Sequence, residues 1–282
     1  MKNYLIVNQF FRLESFEKIY KLLKDAFASL GQELEIITNT QARDLAKVNE
    51  NGSKILFWDK DVFLATLLEK SGYRLINNAK AVEICDDKAK TYLQLLNKVA
   101  MPKTIIAPFV YDNYQYGDTD FLNEVAKELG FPLVVKENKG SFGAQVYLVN
   151  DIIELKSLVE RIGHCNILFQ EFIRGSAGKD FRVYIVGGKV VASALRTNDK
   201  DFRSNIASGG KMQKVELDKG YAEIALKACQ EIGVDFAGVD LLIGENGPLV
   251  CEVNSNAHFI ALNEVSGVNI ALEIAKYFLI AK

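Results

Sequence analysis

The sequence predicts a mixed α/β protein that begins with a small parallel-sheet lobe. The first third alternates short apolar runs with segments of helical spacing, which is the pattern of βαβ units. The later part repeatedly places two strand-like runs around turns that contain glycine, which is typical of β-hairpins. The chain has 282 residues, of which 49% are hydrophobic and 25% charged. It is therefore large enough to bury cores for two or three lobes.

The first lobe is predicted to contain two helices and four strands. The first helix covers 15–30 and ends before Gly31, and the second covers 61–70 and ends before Gly72. The predicted strands are 4–7, 34–38, 54–58 and 73–77. Because this lobe has no GxGxxG sequence, we expect it to hold a substrate or act as a spacer rather than bind a dinucleotide.

Charge and cysteine content limit the possible partners and compartments. The formal net charge of −2 argues against a nucleic-acid surface. We expect no membrane span and no secretory signal, because no apolar run has the required length or pattern. The four cysteines include no CxxC pair, which predicts a cytoplasmic location and disfavours a structural zinc site. With two histidines, a His-dependent triad or metal cluster is not expected.

The segment 77–99 is predicted to be helical, and Lys88 lies near its start. Leu93, Leu96 and Val99 continue one apolar face of this helix. A lysine at the start of a helix opposes the helix dipole, so the placement by itself is unfavourable. Lys88 is therefore either solvated or faces an anion.

A loop that contains glycine follows a predicted strand ending in Lys136. The loop covers 137–144 and includes Ser141, Phe142 and Gly143. Small residues let the backbone approach a phosphate closely and direct N–H groups at it. The loop joins two strands and lacks the GxxxxGK[ST] pattern, so it is not a P-loop. An ordinary hairpin turn is the alternative.

Two further segments could bind parts of a nucleotide. The apolar strand 167–173 could hold an adenine ring between apolar walls and an edge of free backbone groups, although a core strand is the alternative. The next predicted strand carries Asp180 and Arg182 on one face. Arg203, in the following loop, could bind a carboxylate or phosphate through two parallel hydrogen bonds, or could be an exposed, mobile arginine.

A predicted C-terminal hairpin carries three oxygen ligands. Glu252 and Asn254 are two residues apart, so they point to the same face of a strand. A three-residue loop at 245–247 would place Asp240 opposite Glu252, whereas a two-residue Asn-Gly loop would aim it at the wrong face. Hard oxygen ligands of this kind suit Mg²⁺ or Mn²⁺. A solvated hairpin is the alternative.

The order of these features resembles the ATP-grasp superfamily. The order is a lysine at a helix start, a lysine at a strand end, a small-residue loop, a Gln-Glu-aromatic-Ile strand, Asp-x-Arg, DFRSN and Asp…Glu-x-Asn. Within the superfamily the chain resembles the RimK-type α-L-glutamate ligases, and the phrases at 201–205 and 237–240 are especially similar. The resemblance covers about residues 75–282.

The resemblance implies an ATP-grasp fold behind a pre-ATP-grasp lobe. The implied domains are 1–84 for the pre-ATP-grasp lobe and 85–282 for the ATP-grasp domain. The ATP-grasp domain would divide into a smaller lobe at about 100–171 and a larger lobe at about 172–282.

The resemblance also implies ATP and two divalent ions, Mg²⁺ or Mn²⁺, and a role for each matching residue. The residues expected to bind ATP are Lys88, Lys136, Ser141, Phe142, Gly143, Gln170, Glu171, Phe172, Ile173, Asp180, Arg203, Ser204 and Asn205. The residues expected to face the transferring phosphoryl group, and so to be catalytic, are Arg182, Arg203 and Asn205. The expected metal ligands are Asp240, Glu252 and Asn254.

The implied activity is an ATP-dependent carboxylate–amine ligase. ATP would phosphorylate a carboxylate of a small molecule or a protein C-terminus, and an amine would attack the acyl-phosphate to form an amide. Glutamate or another amino acid would be the amine, and a homo-oligomer is compatible with the sequence. One alternative is a D-alanine–D-alanine- or glutathione-synthetase-like ligase. A second is a non-catalytic, ATP-binding regulatory protein.

Two positions depart from the pattern of the family. Gln145 stands where relatives often have a further glycine in the small-residue loop. The stretch 255–259, which contains His258, stands where relatives often have small residues and Pro-Gly. This stretch usually borders the acceptor site, so the resemblance leaves the added amino acid open.

Overall fold

The computed structural model describes residues 2–48, 53–111, 114–163 and 165–281. Within these ranges, thirteen strands form one parallel and two antiparallel sheets, and helices accompany each sheet. The mixed α/β class predicted from the sequence is therefore confirmed. None of the helices in these ranges is long and apolar enough to cross a membrane.

The first lobe is a four-stranded parallel sheet. Its strands are β1 (Asn3–Val7), β2 (Leu34–Thr38), β3 (Lys54–Trp58) and β4 (Arg74–Ile76), in the order β2-β1-β3-β4. Its helices are α1 (Glu14–Ser29), α2 (Asn39–Ala42), α3 (Leu45–Val48) and α4 (Val62–Lys70). The carboxyl ends of β1 and β3 lie side by side, because the strands are parallel neighbours. Asn8 and Asp59 directly follow these two ends.

Two helices replace the single helix predicted at 77–99. They are α5 (Ala79–Asp86) and α6 (Lys88–Leu95). Asp87 interrupts the helix, because its backbone is extended and its carboxylate accepts hydrogen bonds from the backbone N–H groups of Ala89 and Lys90. Lys88 is consequently the first residue of α6.

The second sheet is antiparallel and carries the small-residue loop. Its strands are β5 (Thr104–Ile106), β6 (Leu133–Glu137), β7 (Val146–Val149) and β8 (Ile167–Glu171), in the order β5-β8-β6-β7. Its helices are α7 (Phe121–Leu129) and α8 (Ile152–Ile162). The sequence predicted a strand over 167–173, but β8 ends at Glu171. Phe172 and Ile173 therefore follow the strand.

The third sheet has five antiparallel strands. They are β9 (Lys179–Val186), β10 (Lys189–Thr197), β11 (Lys211–Lys214), β12 (Phe236–Gly244) and β13 (Gly247–Asn254), in the order β11-β10-β9-β12-β13. The remaining helices are α9 (Lys219–Ile232), α10 (Ile260–Ser266) and α11 (Ile270–Ile280). The three sheets thus draw on residues 3–76, 104–171 and 179–254, while the predicted domain limits stay a prediction.

The end of the chain joins the first lobe to the third sheet. The rings of Phe27 on α1 and Phe278 on α11 lie 5.1 Å apart, and Trp58 of β3 stacks on Phe236 of β12 at 5.2 Å. The Lys54 ammonium donates hydrogen bonds to the backbone carbonyls of Phe278, Leu279 and Ala281. This shared core holds the carboxyl edge of the parallel sheet close to the third sheet.

Candidate active site

All three sheets contribute to the lining of one cavity of about 990 Å³. This volume is at the upper end of the usual range for ligand pockets. The residues predicted for the site all line it: Lys88, Lys136, Ser141, Phe142, Gly143, Gln170, Glu171, Phe172, Ile173, Asp180, Arg182, Arg203, Ser204, Asn205, Asp240, Glu252 and Asn254. The structure thus brings the predicted set together, while the role of each member stays a prediction.

Four buried charged side chains form the floor of the cavity. Strand pairing places Asp240 opposite Arg182, and Asp180 opposite Arg196, so all four lie on one face of the third sheet. The Arg196 Nε–H donates to Asp180 Oδ1 at 2.7 Å, and Arg196 Nη2 lies 3.0 Å from Asp240 Oδ2. Each of the four residues is less than 10% exposed. Such a network compensates charges that would otherwise be costly to bury.

Asp240 is ionised within this network. Burial alone would raise the pKa of its carboxyl group, but the charges of Arg182 and Arg196 lower that pKa overall. Asp240 Oδ1 lies 2.5 Å from Arg182 Nε at angles that make no hydrogen bond, and it has no other hydrogen-bond partner among the described residues. Both oxygens of this carboxylate thus lie within ion-pair distance of a guanidinium group, so a metal ion bound here would share Asp240 with the two arginines.

The hairpin that carries Asp240 closes differently from the prediction. Gly244 pairs with Gly247, so the loop has two residues, 245–246, and it is neither the three-residue loop at 245–247 nor the two-residue Asn-Gly loop that the sequence left as alternatives. Gly247 takes a φ of 122°, a conformation that favours glycine, at the end of this tighter turn.

A β-bulge restores the predicted pairing in spite of the shorter loop. Continued without interruption, the observed register would place Asp240 opposite Cys251. The register shifts between Asp240 and Leu241, which leaves Cys251 as the extra residue and pairs Asp240 with Glu252. Asp240 and Glu252 are consequently opposite each other. The sequence argument reached this pairing through a three-residue loop, whereas the structure reaches it through the bulge.

The donor set on this hairpin fits a divalent ion. Asp240, Glu252 and Asn254 supply two carboxylates and an amide oxygen at the cavity wall, and hard cations prefer such oxygens. Glu252 Oε1 lies 3.9 Å from the Lys88 ammonium, so this carboxylate has one distant charge partner. In the described part of the chain, no group of three or more His, Cys, Asp or Glu side chains is placed to hold a metal ion. A metal set here therefore depends on the amide of Asn254.

The second sheet contributes to the cavity a buried lysine that has no carboxylate partner among the described residues. Lys136 is 7% exposed, and its ammonium donates to Gln170 Oε1 at 2.7 Å and lies 3.4 Å from Cys251 Sγ. Gln170 in turn donates to Thr104 Oγ1 at 2.9 Å. No carboxylate of the described residues lies within ion-pair distance of Lys136. A buried and unbalanced positive charge favours the binding of an anion.

The small-residue loop is held against the DFRSN segment. The Arg203 Nη1–H donates to the Gly143 carbonyl at 2.6 Å, while two other nitrogens of this guanidinium pair with Asp201. Gly143 has a φ of 74°, and an added Cβ would lie 2.9 Å from Asn205 Oδ1. The positive φ favours glycine here, and a larger residue would also displace the Asn205 side chain. Arg203 is therefore held in place by protein contacts.

Two residues at this loop have contacts that the sequence did not indicate. Lys60 of the first lobe donates to Ser141 Oγ at 3.2 Å and forms an ion pair with Asp86 at 2.5 Å. Gln145 covers Gly140, and its buried side-chain oxygen has no hydrogen-bond partner in the part of the chain that the structure describes. The first lobe thus contacts the loop directly.

Sequence reasoning missed Arg196, the central cation of the buried network. The Gly187–Gly188 turn pairs Lys189 with Val186, and this register would place Arg196 opposite Lys179. A register shift at Val191 instead pairs Arg196 with Asp180. Because nothing in the local sequence marks this bulge, hairpin geometry alone would have aimed Arg196 away from the cavity.

His258 lies between two phenylalanines in the cavity wall. Its ring centroid is 4.3 Å from that of Phe16 and 5.4 Å from that of Phe142, and both contacts are edge-to-face. Burial, assisted by the charge of Arg182, lowers the pKa of His258 to about 4. The imidazole is therefore neutral at physiological pH.

We expect His258 to make stability depend on pH between about 4 and 6.5. In the unfolded chain the histidine binds a proton below its ordinary pKa of 6.5, whereas in the folded protein it stays neutral down to about 4. Its contribution to stability is therefore present above pH 6.5 and is lost as the pH falls through this window. Unfolding free energies of the protein and of His258→Gln should converge on acidification. An equal pH dependence of both would contradict the low pKa.

Comparison with known proteins identifies the type of domain. The model of the RimK-like ATP-grasp domain matches residues 85–278. The chain is 35% identical over 228 residues to β-citrylglutamate synthase B of Danio rerio, covering 78% of this chain and 54% of that protein. It is 35% identical over 223 residues to N-acetylaspartylglutamate synthase A of Homo sapiens, covering 78% and 56%. The chain thus spans little more than half the length of these relatives.

A solved structure extends the likeness to the whole fold. The RimK-domain ATP-grasp protein of Sphaerobacter thermophilus superimposes with a TM-score of 0.71 at 20% identity. The match covers 98% of this chain and 99% of that one. The predicted ATP-grasp fold behind a small parallel-sheet lobe is therefore confirmed.

Proposed function

The chain belongs to the RimK-like ATP-grasp family, and on this basis we propose that it is an ATP-dependent ligase that joins a carboxylate to an amine. The observation that carries the proposal is the cavity, where the unbalanced Lys136 ammonium and the Asp240–Glu252 pair line the same space. Both relatives at 35% identity are named for products that contain glutamate. Glutamate is accordingly the proposed amine.

In this proposal, ATP lies between the second and third sheets. Lys88 and Lys136 bind its phosphates, and the loop with Ser141 and Gly143 covers them. The segment after β8 holds the adenine between apolar side chains. The side chain of Gln170 holds the Lys136 ammonium in place, which follows from their 2.7 Å hydrogen bond.

Asp240, Glu252 and Asn254 would hold the Mg²⁺ or Mn²⁺ ions of the reaction. When bound, such ions neutralise the charge of the phosphates. The two arginines next to Asp240 have a different role from the metal ligands. Arg182 and Arg196 keep Asp240 ionised and fixed in direction, so the site does not need to reorganise when charge develops.

The proposed chemistry uses no covalent protein nucleophile. A carboxylate oxygen of the acceptor attacks the γ-phosphorus of ATP, and the bond to the β-phosphate oxygen breaks to release ADP. The amine nitrogen then attacks the acyl carbon, phosphate leaves, and the nitrogen gives up its proton. Arg203 and Asn205 would stabilise the transferring phosphoryl group. The Arg203–Gly143 hydrogen bond keeps the loop over the reacting atoms, where it excludes water as a competing nucleophile.

A cytoplasmic location suits this proposal. ATP is the substrate, and all four cysteines are free in the structure. Free cysteines are typical of a reducing compartment.

Trapping with hydroxylamine tests the proposed activity. Protein, ATP, Mg²⁺ and a carboxylate acceptor should yield a hydroxamate and ADP, because hydroxylamine captures the acyl-phosphate. Omission of Mg²⁺ serves as the control. Release of AMP and pyrophosphate would show adenylation and contradict the mechanism. Tight ATP binding without turnover over a broad panel of acceptors would instead support a regulatory, non-catalytic protein.

A further inference from the structure

An aromatic wall runs along the cavity from the first lobe to the small-residue loop. We define this wall as Phe11, Phe16, His258 and Phe142. Successive ring centroids are 5.4 Å, 4.3 Å and 5.4 Å apart, and each contact is edge-to-face. All four residues line the cavity. The wall is continuous, and it ends on the loop that contacts Arg203.

The two ends of the wall are exposed although they are apolar. Phe11 is 48% exposed and Phe142 is 41% exposed, and the nearby Leu13 is 43% exposed and also lines the cavity. Large apolar side chains that face a cavity gain free energy when an apolar ligand covers them. Phe142 also has a φ of 60°, a conformation that a bulky residue rarely adopts. Its ring is thereby presented at the cavity.

The cations that the first lobe adds to the cavity lining each have a carboxylate partner. Among the described residues, the first lobe contributes two lysines to the lining, Lys18 and Lys60. Lys18 lies 2.8 Å from Glu14, and Lys60 lies 2.5 Å from Asp86. Glu14, Asp59 and Glu264 add carboxylates to the lining. A ligand with two or three carboxylates would meet these acids without a free lysine from the first lobe.

We propose that the aromatic wall binds the body of the carboxylate substrate, and that this body is an apolar side chain next to the reacting carboxylate. The inference rests on the proposed ligase function and names its substrate class. The carboxylate substrate is assigned to the wall because the wall ends at Phe142, beside Gly143, on the loop that in the proposed function covers the ATP phosphates. A neutral His258 adds a flat, uncharged surface between the two phenylalanines.

A hydroxamate assay with matched carboxylates tests this substrate class. Hydroxylamine replaces the amine, so the assay reports only on the carboxylate site. The apolar acceptors are N-acetylphenylalanine and N-acetylleucine, and the polyanions are N-acetylaspartate and citrate. We expect kcat/KM to be about tenfold or more higher for the apolar pair. Higher kcat/KM for the polyanions would overturn the inference and leave the ligase function standing. Absence of hydroxamate with every carboxylate would overturn the proposed function itself, and the inference with it.

A pair of neighbouring phenylalanines provides matched variants. Phe11→Ser should raise KM for the apolar acceptors about tenfold and leave KM for ATP unchanged. Phe10→Ser is the control, because Phe10 is 81% exposed and does not belong to the cavity lining. An unchanged KM in folded Phe11→Ser would overturn the assignment of the wall. Thermal melting checks folding, and Phe11→Ala takes the place of Phe11→Ser if that variant does not fold.

Discussion

Replacement of Glu252 by glutamine is expected to lower kcat by about a hundredfold or more, because the change removes one of the charges proposed to hold Mg²⁺ beside the transferring phosphoryl group. The change keeps the size of the side chain and removes one of the two paired carboxylates. Glu252 is partly exposed, and its charge partner among the described residues is Lys88, at 3.9 Å. The fold should therefore survive. ATP turnover and circular dichroism of the same preparation measure both expectations.

The exposed turn of the same hairpin supplies the control for this variant. Glu245→Gln removes the same charge from the loop at 245–246, outside the cavity lining, and should leave turnover unchanged. Asp240→Asn is a less specific variant, because Asp240 also balances Arg182 and Arg196. Turnover of Glu252→Gln within a factor of a few of the unmodified protein would remove this residue from the metal set.

Replacement of Arg196 by methionine is expected to reduce the free energy of unfolding by about 3–5 kcal/mol. The side chain is 4% exposed and lies between Asp180 and Asp240. Burial alone would lower the pKa of Arg196, but the charges of Asp240 and Asp180 raise it overall, so the arginine is charged in the folded protein. Its loss leaves the Asp180 carboxylate without its arginine partner. Denaturant unfolding measures the effect.

Arg43→Met provides the matched control, since Arg43 is exposed and its loss should change stability by no more than about 0.5 kcal/mol. A loss of stability in Arg196→Met no larger than that in Arg43→Met would contradict a compensating role for Arg196.

The same network also predicts that stability depends on pH in the acid range. The pKa of Asp240 in the folded protein lies below its ordinary value of 3.8. Its stabilising effect is therefore present above pH 3.8 and is lost as the pH falls through the folded pKa.

Local pattern was sufficient for the class of the fold, and the family resemblance supplied seventeen of the residues that line the cavity. Apolar spacing marks the strands and helices of the first lobe, because burial of one face imposes a period of 2.0 or 3.6 residues. The order of lysines, small-residue loop and acidic hairpin indicated the family, and the family model matches 85–278. The helix break at Asp87 was missed, because a capping carboxylate competes with a helical pattern that continues on both sides.

The sequence by itself determined the fold class, the family and seventeen of the residues that line the cavity. Tertiary structure alone decided which charges meet. Two β-bulges, at Val191 and Cys251, place Arg196 opposite Asp180 and bring Asp240 beside Glu252. A shift of one residue moves a side chain to the other face of a sheet, and the local sequence of neither hairpin marks the residue at which its shift occurs. The aromatic wall likewise joins Phe16 of the first lobe, Phe142 of the loop between β6 and β7, and His258 after β13, which meet only when all three sheets pack together.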